Sequence, residues 1–279
     1  MTPRVMILGA GGFLGGHLAA LAGDAFRARV EITSVASVRR ALEQSKPDAV
    51  VLAAAISDID ECERNPTRAH QVNVAGAANV ARECARTGAR LLFTSSAAVF
   101  DGDAPEYAED APPNPRSVYG ITKAEAEGII AAECPGAIIV RFSLLVGAAL
   151  LAGTNSLIDK LRGQFESGQA VAAPSDECRN AIDVETAARW ILDLAAAPDA
   201  QGVFHLGSAD AMSRFEIVRW LATAWGYSED LVTGSNGVMP HRAPRGRRHM
   251  LRPARIAEFS TIPVPTCLQA LERCSHVIV

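Results

Sequence analysis

Val5-Met-Ile-Leu-Gly9-Ala-Gly-Gly12-Phe-Leu-Gly15 places an apolar run directly before a turn with glycine at every third position. The run Val5–Leu8 predicts a buried strand, and Gly12–Ala22 predicts the helix that follows it. In such a turn the first glycine permits the tight bend, the second lets a phosphate approach the backbone, and the third lets the helix pack closely. The helix N-terminus adds free N–H groups and a positive dipole end. The segment therefore predicts a dinucleotide site that contains Gly9, Gly12, Phe13, Leu14 and Gly15.

The rest of the first half alternates apolar runs of strand length with helical patterns. Strands are predicted over Ala49–Ala55, Arg90–Thr94 and Ala137–Phe142. Helices are predicted over Val38–Gln44, Thr67–Thr87 and Val118–Glu133. Strands that alternate with helices of this length pair in parallel, and the helices cover both faces of the sheet. We therefore expect an α/β fold with a Rossmann-type doubly wound parallel sheet.

The second half has a looser pattern, which predicts a smaller C-terminal lobe that caps the substrate. Helices are predicted over Leu157–Leu161 and Arg214–Trp225, and a strand over Val203–Leu206. A long loop is predicted over Thr233–Arg255. We expect a dinucleotide-binding domain over residues 1–147 and a substrate-binding lobe over residues 148–279. Residues 181–207 are expected to return to the first domain, which leaves a cleft between the two lobes.

Composition and charge exclude several classes of protein. The 279 residues carry a net charge of −4, and the Arg-rich stretch Arg242–Arg255 is short, so we expect no nucleic-acid partner. No apolar run approaches the ~20 residues of a membrane span. Six cysteines occur without a Cys-x-x-Cys pair or a His cluster. This pattern favours a reduced, cytoplasmic protein without a metal site.

A tyrosine and a lysine share one face of a predicted helix, because Tyr119-Gly-Ile-Thr-Lys123 spaces them four residues apart. Ser96 follows the predicted strand Arg90–Thr94, at the edge where parallel sheets present ligands. A phenol can protonate a carbonyl oxygen as hydride reaches its carbon, an ammonium lowers the phenol pKa, and a hydroxyl can bind the same oxygen. We expect Ser96, Tyr119 and Lys123 to be catalytic, with Tyr119 and Lys123 also contacting the cofactor. The alternative is a surface helix with an incidental Tyr and Lys.

The G-x-x-G-x-x-G spacing and the order of serine, tyrosine and lysine resemble the extended short-chain dehydrogenase/reductase family. Over Asp48–Gly147 the chain resembles the dTDP-4-dehydrorhamnose reductase family in particular, and a weaker resemblance continues in Arg179–Glu185 and Val203–Gly207. The segments that carry it are PDAVVLAAAISDIDECERNP, VNVAGAANVA, LLFTSSAAVFDG, YAEDAPPNPRSVYGITKAEAE and IIVRFSLLVG. The resemblance implies an NAD(P)H-dependent reductase of a nucleotide-activated 4-keto-6-deoxysugar, in which Ser96 also binds the substrate.

The chain departs from this family at two places near the expected sugar. It has Ser96-Ala97-Ala98 where the reductases usually carry Thr-Asp-Tyr, and Leu144 where they usually carry Trp. The Ser-Ala-Ala run is closer to sugar 4-epimerases, so a nucleotide-sugar epimerase with tightly bound NAD is one alternative. A non-catalytic regulatory subunit of the same fold is another, although the intact Ser96, Tyr119 and Lys123 favour an enzyme.

The choice between NADP and NAD depends on residues after the first helix. A predicted second strand, Phe26–Val30, carries Arg27 and Arg29 and has no acidic residue at its end to bind a ribose hydroxyl. Arginine can bind a 2′-phosphate, so we expect NADP or NAD with NADPH favoured; solvated edge-strand arginines are the alternative. By family analogy Glu31 and Ile32 would lie under the adenine. The small residues expected to let the backbone approach the cofactor are Ala53, Ala54 and Ala55.

Four residues are expected to bind the substrate. Arg179 stands in the R-x-x-I-x-V context in which related enzymes contact the substrate diphosphate, and a structural arginine is the alternative. Arg242 is a lesser candidate, and Asp60 resembles a family residue beside the sugar, with a role in the first helical turn as the alternative. Ser96 completes the set. The family also implies a homodimer through the helices Thr67–Thr87 and Val118–Glu133.

Overall fold

A computed structural model describes residues 3–23, 29–236 and 242–275 of the chain. Its strands are β1 (Val5–Leu8), β2 (Ala49–Leu52), β3 (Arg90–Ser96), β4 (Ile138–Phe142), β5 (Leu144–Val146), β6 (Val171–Pro174), β7 (Cys178–Arg179), β8 (Ala181–Asp183), β9 (Gly202–Leu206), β10 (Met212–Ser213), β11 (Val232–Ser235) and β12 (Arg248–His249). Its helices are α1 (Phe13–Leu21), α2 (Val35–Ser45), α3 (Ile59–Arg64), α4 (Pro66–His70), α5 (Ala77–Thr87), α6 (Val118–Glu133), α7 (Leu157–Glu166), α8 (Val184–Ala196), α9 (Arg214–Ala224) and α10 (Cys267–Ser275). The predicted bounds of β1 and α6 are confirmed to the residue.

A parallel sheet with the order β1-β2-β3-β4-β9 lies at the centre of the described chain. Successive residues of each strand point to opposite faces, and both faces are buried. Ile7 and Val51 contribute to a core with α1 and α8, whereas Met6 and Val50 contribute to a second core with α2, α5 and α6. The α/β class with a parallel sheet covered on both faces is therefore confirmed.

The helix predicted over Thr67–Thr87 is interrupted. A π-helical segment, Gln71–Gly76, separates α4 from α5. It contains the buried residue Asn73, whose side chain bonds the backbone of Ile56. Wide turns of this kind are rare and are frequently found at functional sites. Periodicity does not detect them, because the helical pattern continues on both sides of the turn. No helix of the described residues is long and apolar enough to cross a membrane.

The second half builds a separate core above the sheet. Phe165, Ile217 and Leu271 belong to this core, which joins α7, α9 and α10. Three small pairings surround it: β5 with β8, β6 with β11, and β7 with β10 and β12. The prediction of a loop over Thr233–Arg255 is therefore wrong in part, because β11 and β12 use this stretch to pair with β6 and β7. The division into domains at residue 147 stays a prediction, while β9 does pair with β4 of the main sheet.

Two predicted strands near the cofactor loop differ from the structure. The strand over Ala49–Ala55 ends at Leu52, because the next three alanines leave the sheet at its carboxyl edge. Of the strand predicted over Phe26–Val30, residues 26–28, including Arg27, lie outside the described residues. Arg29 and Val30 are described and form no strand, so this part of the prediction is wrong.

Candidate active site

Backbone contacts explain the glycines of the first turn. Gly9 has a φ of +98°, and a Cβ there would lie 2.5 Å from the Ala54 nitrogen. A Cβ on Gly15 would lie 2.0 Å from the Gly9 carbonyl oxygen, so α1 can pack this closely only with glycine at that position. Gly12 is less crowded, since its Cβ would meet only the Gly9 oxygen, at 3.3 Å. Gly9 and Gly15 therefore shape the turn, while Gly12 leaves room beside the uncapped N-terminus of α1.

Two cavities meet at this turn and could together hold a dinucleotide. The first, of about 650 Å³, is lined by Gly9, Arg29 and Ala54 among others. The second has a volume of about 400 Å³. The predicted cofactor residues that line this second cavity are Gly12, Phe13, Leu14, Gly15, Ala53, Ala55, Tyr119 and Lys123. Gly11 lines both cavities, so a diphosphate at the turn would connect their occupants.

Two residues expected at the adenine have other contacts. Ile32 is buried in the core and packs against Gly76, where a Cβ would lie 2.9 Å from the Ile32 side chain. Glu31 is exposed, and its carboxylate accepts hydrogen bonds from the Thr33 hydroxyl and backbone N–H at 2.8 and 3.2 Å. Neither side chain lines either cavity, so their contact with a cofactor remains a prediction.

The structure brings Ser96, Tyr119 and Lys123 together at the carboxyl end of β3. Ser96 is the last residue of β3, and all three residues line the second cavity. Gly120 makes this approach possible, because a Cβ there would lie 2.1 Å from the Ala98 carbonyl oxygen. The Lys123 ammonium donates to the Thr94 carbonyl at 2.9 Å, which fixes its position between α6 and β3.

Burial shifts the pKa values of both titratable groups in this set. It raises the pKa of Tyr119 to about 12, and the hydroxyl of Ser96 opposes this shift. The phenol is therefore protonated at neutral pH and available as a proton donor. Burial also lowers the pKa of Lys123 to about 8, while the carboxylate of Glu127 opposes the decrease.

A buried ion pair lies one helical turn beyond Lys123, and sequence reasoning missed it. Arg141 donates to both carboxylate oxygens of Glu127, at 3.0 and 2.7 Å, and the Ser95 hydroxyl donates to the same carboxylate at 2.5 Å. Both charged side chains are almost fully buried. The sequence did contain a signal for Glu127. Tyr119, Lys123 and Glu127 follow each other at intervals of four residues, which places them on one face of the helix.

Asn73 is a second residue that sequence reasoning missed. Its amide oxygen accepts from the Ile56 N–H at 2.8 Å, and its amide nitrogen donates to the Ile56 carbonyl and to the Thr122 hydroxyl, at 3.0 and 3.2 Å. These bonds tie the segment that follows β2 to α6, next to Lys123. The quoted segment VNVAGAANVA contained the residue, but its role depends on a contact between distant parts of the chain.

A third cavity, of about 400 Å³, adjoins the second one and extends toward residues 177–179 and 242–249. Ser57, Ser96 and Ser143 line both, so a substrate here would meet a cofactor at Ser96. We call this third cavity the substrate cavity. Its lining includes the predicted substrate residues Asp60, Arg179 and Arg242.

The charged residues of the substrate cavity are largely paired with each other. Arg245 donates to both oxygens of Asp60, at 3.1 and 2.9 Å, and this contact holds the pKa of the carboxyl below its usual range. Glu177 accepts from Arg242 at 2.9 Å and from Arg179 at 3.2 Å. Arg179 also donates to the carbonyls of Cys178, Gly246 and Arg247. With four of its five N–H groups used, this geometry favours the structural interpretation of Arg179.

The fold and the site define a dinucleotide-binding protein of the short-chain dehydrogenase/reductase type. The glycine turn, the Ser-Tyr-Lys set and the adjoining substrate cavity are the features on which this class rests. The chain belongs to the family described as the RmlD substrate binding domain, whose profile matches residues 3–278.

Relatives in this family differ in their described roles. The dTDP-4-dehydrorhamnose reductase of Mycobacterium tuberculosis (strain ATCC 25618 / H37Rv) is 31% identical over 258 residues, which cover 88% of this chain and 83% of the relative. Methionine adenosyltransferase 2 subunit beta of Xenopus tropicalis is 30% identical over 243 residues, or 80% of this chain and 72% of the relative. The crystal structure of dTDP-4-dehydrorhamnose reductase from Bacillus anthracis in complex with NADP has a TM-score of 0.88 at 23% identity, covers 98% of this chain and 99% of that one, and shows the shared fold.

The buried Lys123 predicts a pH dependence of stability. Its pKa falls from an ordinary value of 10.5 to about 8 in the folded chain, so the unfolded state binds more protons between these two values. The free energy of unfolding of the cofactor-free protein should therefore rise with pH over this range, by up to about 3 kcal/mol from this group. Below pH 8 the cost of burying the ammonium is fully present.

Urea unfolding at several pH values measures this dependence. Lys123→Met should be more stable than the wild type at pH 7 and should lack this part of the rise, since other groups titrate equally in both proteins. Lys160→Met, which changes an exposed lysine, should retain the wild-type slope. If the free energy of unfolding rose equally steeply with pH in Lys123→Met and the wild type, the lowered pKa of Lys123 would be contradicted.

Proposed function

We propose that this protein is an NAD(P)H-dependent reductase of a nucleotide-activated 4-keto-6-deoxysugar. The observation that carries the proposal is the position of Ser96, which lines both the second cavity and the substrate cavity, together with Tyr119, which lines the second cavity. The glycine turn supplies the cradle for the diphosphate of a dinucleotide, because Gly12 and the uncapped start of α1 present backbone there. The described roles of the reductase relatives support the substrate class.

The mechanism follows from the positions of the three polar groups. A bound nicotinamide dinucleotide supplies the hydride. Tyr119 donates its phenolic proton to the carbonyl oxygen of the sugar as negative charge develops there, and Ser96 donates a hydrogen bond to the same oxygen. Lys123, held by the Thr94 carbonyl, places a positive charge near the phenol and stabilises the tyrosinate that remains.

Two other functions remain candidates, and each has a distinct outcome. An epimerase would retain NAD through purification, and the ultraviolet absorption of the isolated protein would reveal it. A non-catalytic regulatory subunit is the other alternative, and it would bind a dinucleotide without consuming it. The 30% identity to methionine adenosyltransferase 2 subunit beta is the observation behind it. The assembled set of Ser96, Tyr119 and Lys123 supports the enzyme.

NADPH is proposed to be bound at least as well as NADH. Arg29 lines the first cavity, where the adenosine half of the dinucleotide would lie, and an arginine can bind a 2′-phosphate. Arg29→Ala is therefore expected to weaken NADPH binding about tenfold and leave NADH binding unchanged. Calorimetric titration with both nucleotides measures this, with Arg40→Ala as a control at another exposed position. A wild-type protein that strongly prefers NADH would contradict the proposal.

A homodimer is proposed through the outer faces of the segment Thr67–Thr87 and of α6 (Val118–Glu133). Ile121 is 42% exposed on α6, and Gly128 and Ala132 on the same face leave room for a close approach. Analytical ultracentrifugation at micromolar concentration should give twice the chain mass for the wild type, and Ile121→Arg should shift it toward the monomer. Leu268→Arg, at an equally exposed residue on α10, is the matched control. A monomeric wild type would refute the dimer.

A cytoplasmic location is also proposed. The six cysteines are all unpaired, and five of them are buried. Free thiols of this kind persist in a reducing compartment, which supports the proposal.

Tyr119→Phe tests the mechanism, because phenylalanine retains the packing of the ring and removes the proton. Single-turnover reduction of a dTDP-4-keto-6-deoxysugar by NADPH should slow by about 10²- to 10⁴-fold, with the affinity for NADPH nearly unchanged. Tyr227→Phe changes a tyrosine that packs on Phe165 and lines none of the three cavities, so it should react at the wild-type rate.

The outcomes of this experiment separate the mechanism from the function. If Tyr119→Phe reduces the sugar at the wild-type rate, the tyrosine is not the proton donor. If the wild type consumes no NADPH with any member of a panel of nucleotide 4-keto sugars, the proposed reductase function is wrong.

A further inference from the structure

Six arginine and lysine side chains line the substrate cavity, and they differ in their partners. Within the described residues, five of the six have hydrogen-bonding partners in the protein: Arg116 with Asp103, Lys160 with Asn155, Arg179 and Arg242 with Glu177, and Arg245 with Asp60. The sixth is Arg214, which also lines the cavity. In the part of the chain that the structure describes, no hydrogen bond or ion pair of its guanidinium is present.

The position of Arg214 in its helix makes this charge unfavourable without a ligand. Arg214 is the first residue of α9, and its backbone N–H donates to the Glu177 carbonyl at 2.8 Å. The N-terminus is already closed by a capping box between Ser213 and Glu216. The guanidinium therefore adds a positive charge at the positive end of the helix dipole, where an anion would be favoured.

The surrounding charges add to this effect. Burial lowers the pKa of Arg214; the carboxylate of Glu177 opposes that decrease, and the guanidinium groups of Arg242 and Arg245 add to it. Glu177 already accepts hydrogen bonds from Arg179 and Arg242, so its charge is shared. An arginine remains protonated under such conditions, and its environment is completed best by an anionic ligand.

We propose that Arg214 binds the diphosphate of the nucleotide-sugar substrate. This inference rests on the proposed function. In a nucleotide 4-keto sugar the diphosphate is attached to C1, across the ring from the carbonyl at C4. The carbonyl must lie at Ser96 and Tyr119, so the diphosphate extends away from the cofactor. Of the three cavities described above, Arg214 lines only the substrate cavity, and it belongs to α9 in the second half of the chain, which fits this direction.

The geometry of a guanidinium suits this ligand. Its planar fork of N–H groups can donate two parallel hydrogen bonds to phosphate oxygens. Arg179 has at most one N–H group left for a ligand, since four of them already donate to protein oxygens. Arg214 therefore takes the role that the R-x-x-I-x-V pattern had suggested for Arg179.

Calorimetric titration of three variants with dTDP tests the proposal. Arg214→Gln should weaken dTDP binding about 10- to 100-fold, the effect of losing hydrogen bonds to a charged group. Pyrophosphate should show the same trend, whereas thymidine and NADPH should bind as they do to the wild type. Arg214→Lys retains the positive charge but lacks the planar fork of N–H groups. Its affinity for dTDP should therefore lie between those of the wild type and Arg214→Gln. Arg219→Gln is the matched control, because Arg219 is exposed on the same helix and pairs with Glu229.

Several results would overturn the proposal. These are dTDP binding to Arg214→Gln within twofold of the wild type, an equal loss of thymidine binding, and a wild type that binds neither dTDP nor UDP. Failure of the reductase function is a separate result, since it would appear as absent NADPH consumption while the titrations still measure the diphosphate site.

Discussion

Two backbone approaches that leave no room for a side chain determine where the functional parts of this protein lie. At Gly15 the first helix packs against the carbonyl of Gly9, and a Cβ would stand 2.0 Å from that oxygen. At Gly120 the helix that carries Tyr119 and Lys123 packs against the Ala98 carbonyl, with a corresponding distance of 2.1 Å. Protein interiors are close-packed, so a methyl group at either place would displace a whole helix. The first contact shapes the turn where the first and second cavities meet, and the second brings the tyrosine to Ser96.

The buried charges around these contacts are arranged to hold one lysine in place. Lys123 is buried between α6 and β3, where desolvation lowers its pKa to about 8. The carboxylate of Glu127 opposes that decrease and is itself balanced by Arg141. An unpaired ion in such a position would be costly, and a paired one is tolerated when its hydrogen bonds are satisfied. The Thr94 carbonyl and the Glu127–Arg141 pair therefore let the site keep a cation next to the phenol.

The substrate cavity differs from this arrangement, because most of its charged side chains line an open space and pair with each other there. Most of its charged lining comes from α3, from the segment 177–179, from the start of α9 and from residues 242–246, and Asp58, Arg116 and Lys160 complete it. Most of its arginines are paired with Asp60 or Glu177, which fixes their side chains before any ligand binds. Arg214 stands apart from these pairs. A cavity whose described lining has fixed pairs and a single arginine outside them is suited to an anionic substrate of defined shape.

The arrangement of the glycine turn and of Ser96, Tyr119 and Lys123 was predictable from sequence because its determinants are local. Glycine spacing after Val5–Leu8 and the four-residue spacing of Tyr119 and Lys123 follow from strand, turn and helix geometry over a few residues. The order of Ser96 and Tyr119 along successive elements of a parallel sheet then placed them at one edge. Only the tertiary structure indicated roles for Asn73, Glu127 and Arg214. It also showed that Arg179 donates most of its hydrogen bonds to protein oxygens. Their roles depend on which distant groups pair with each carboxylate and guanidinium, and such pairing is decided by packing between elements rather than by any local pattern.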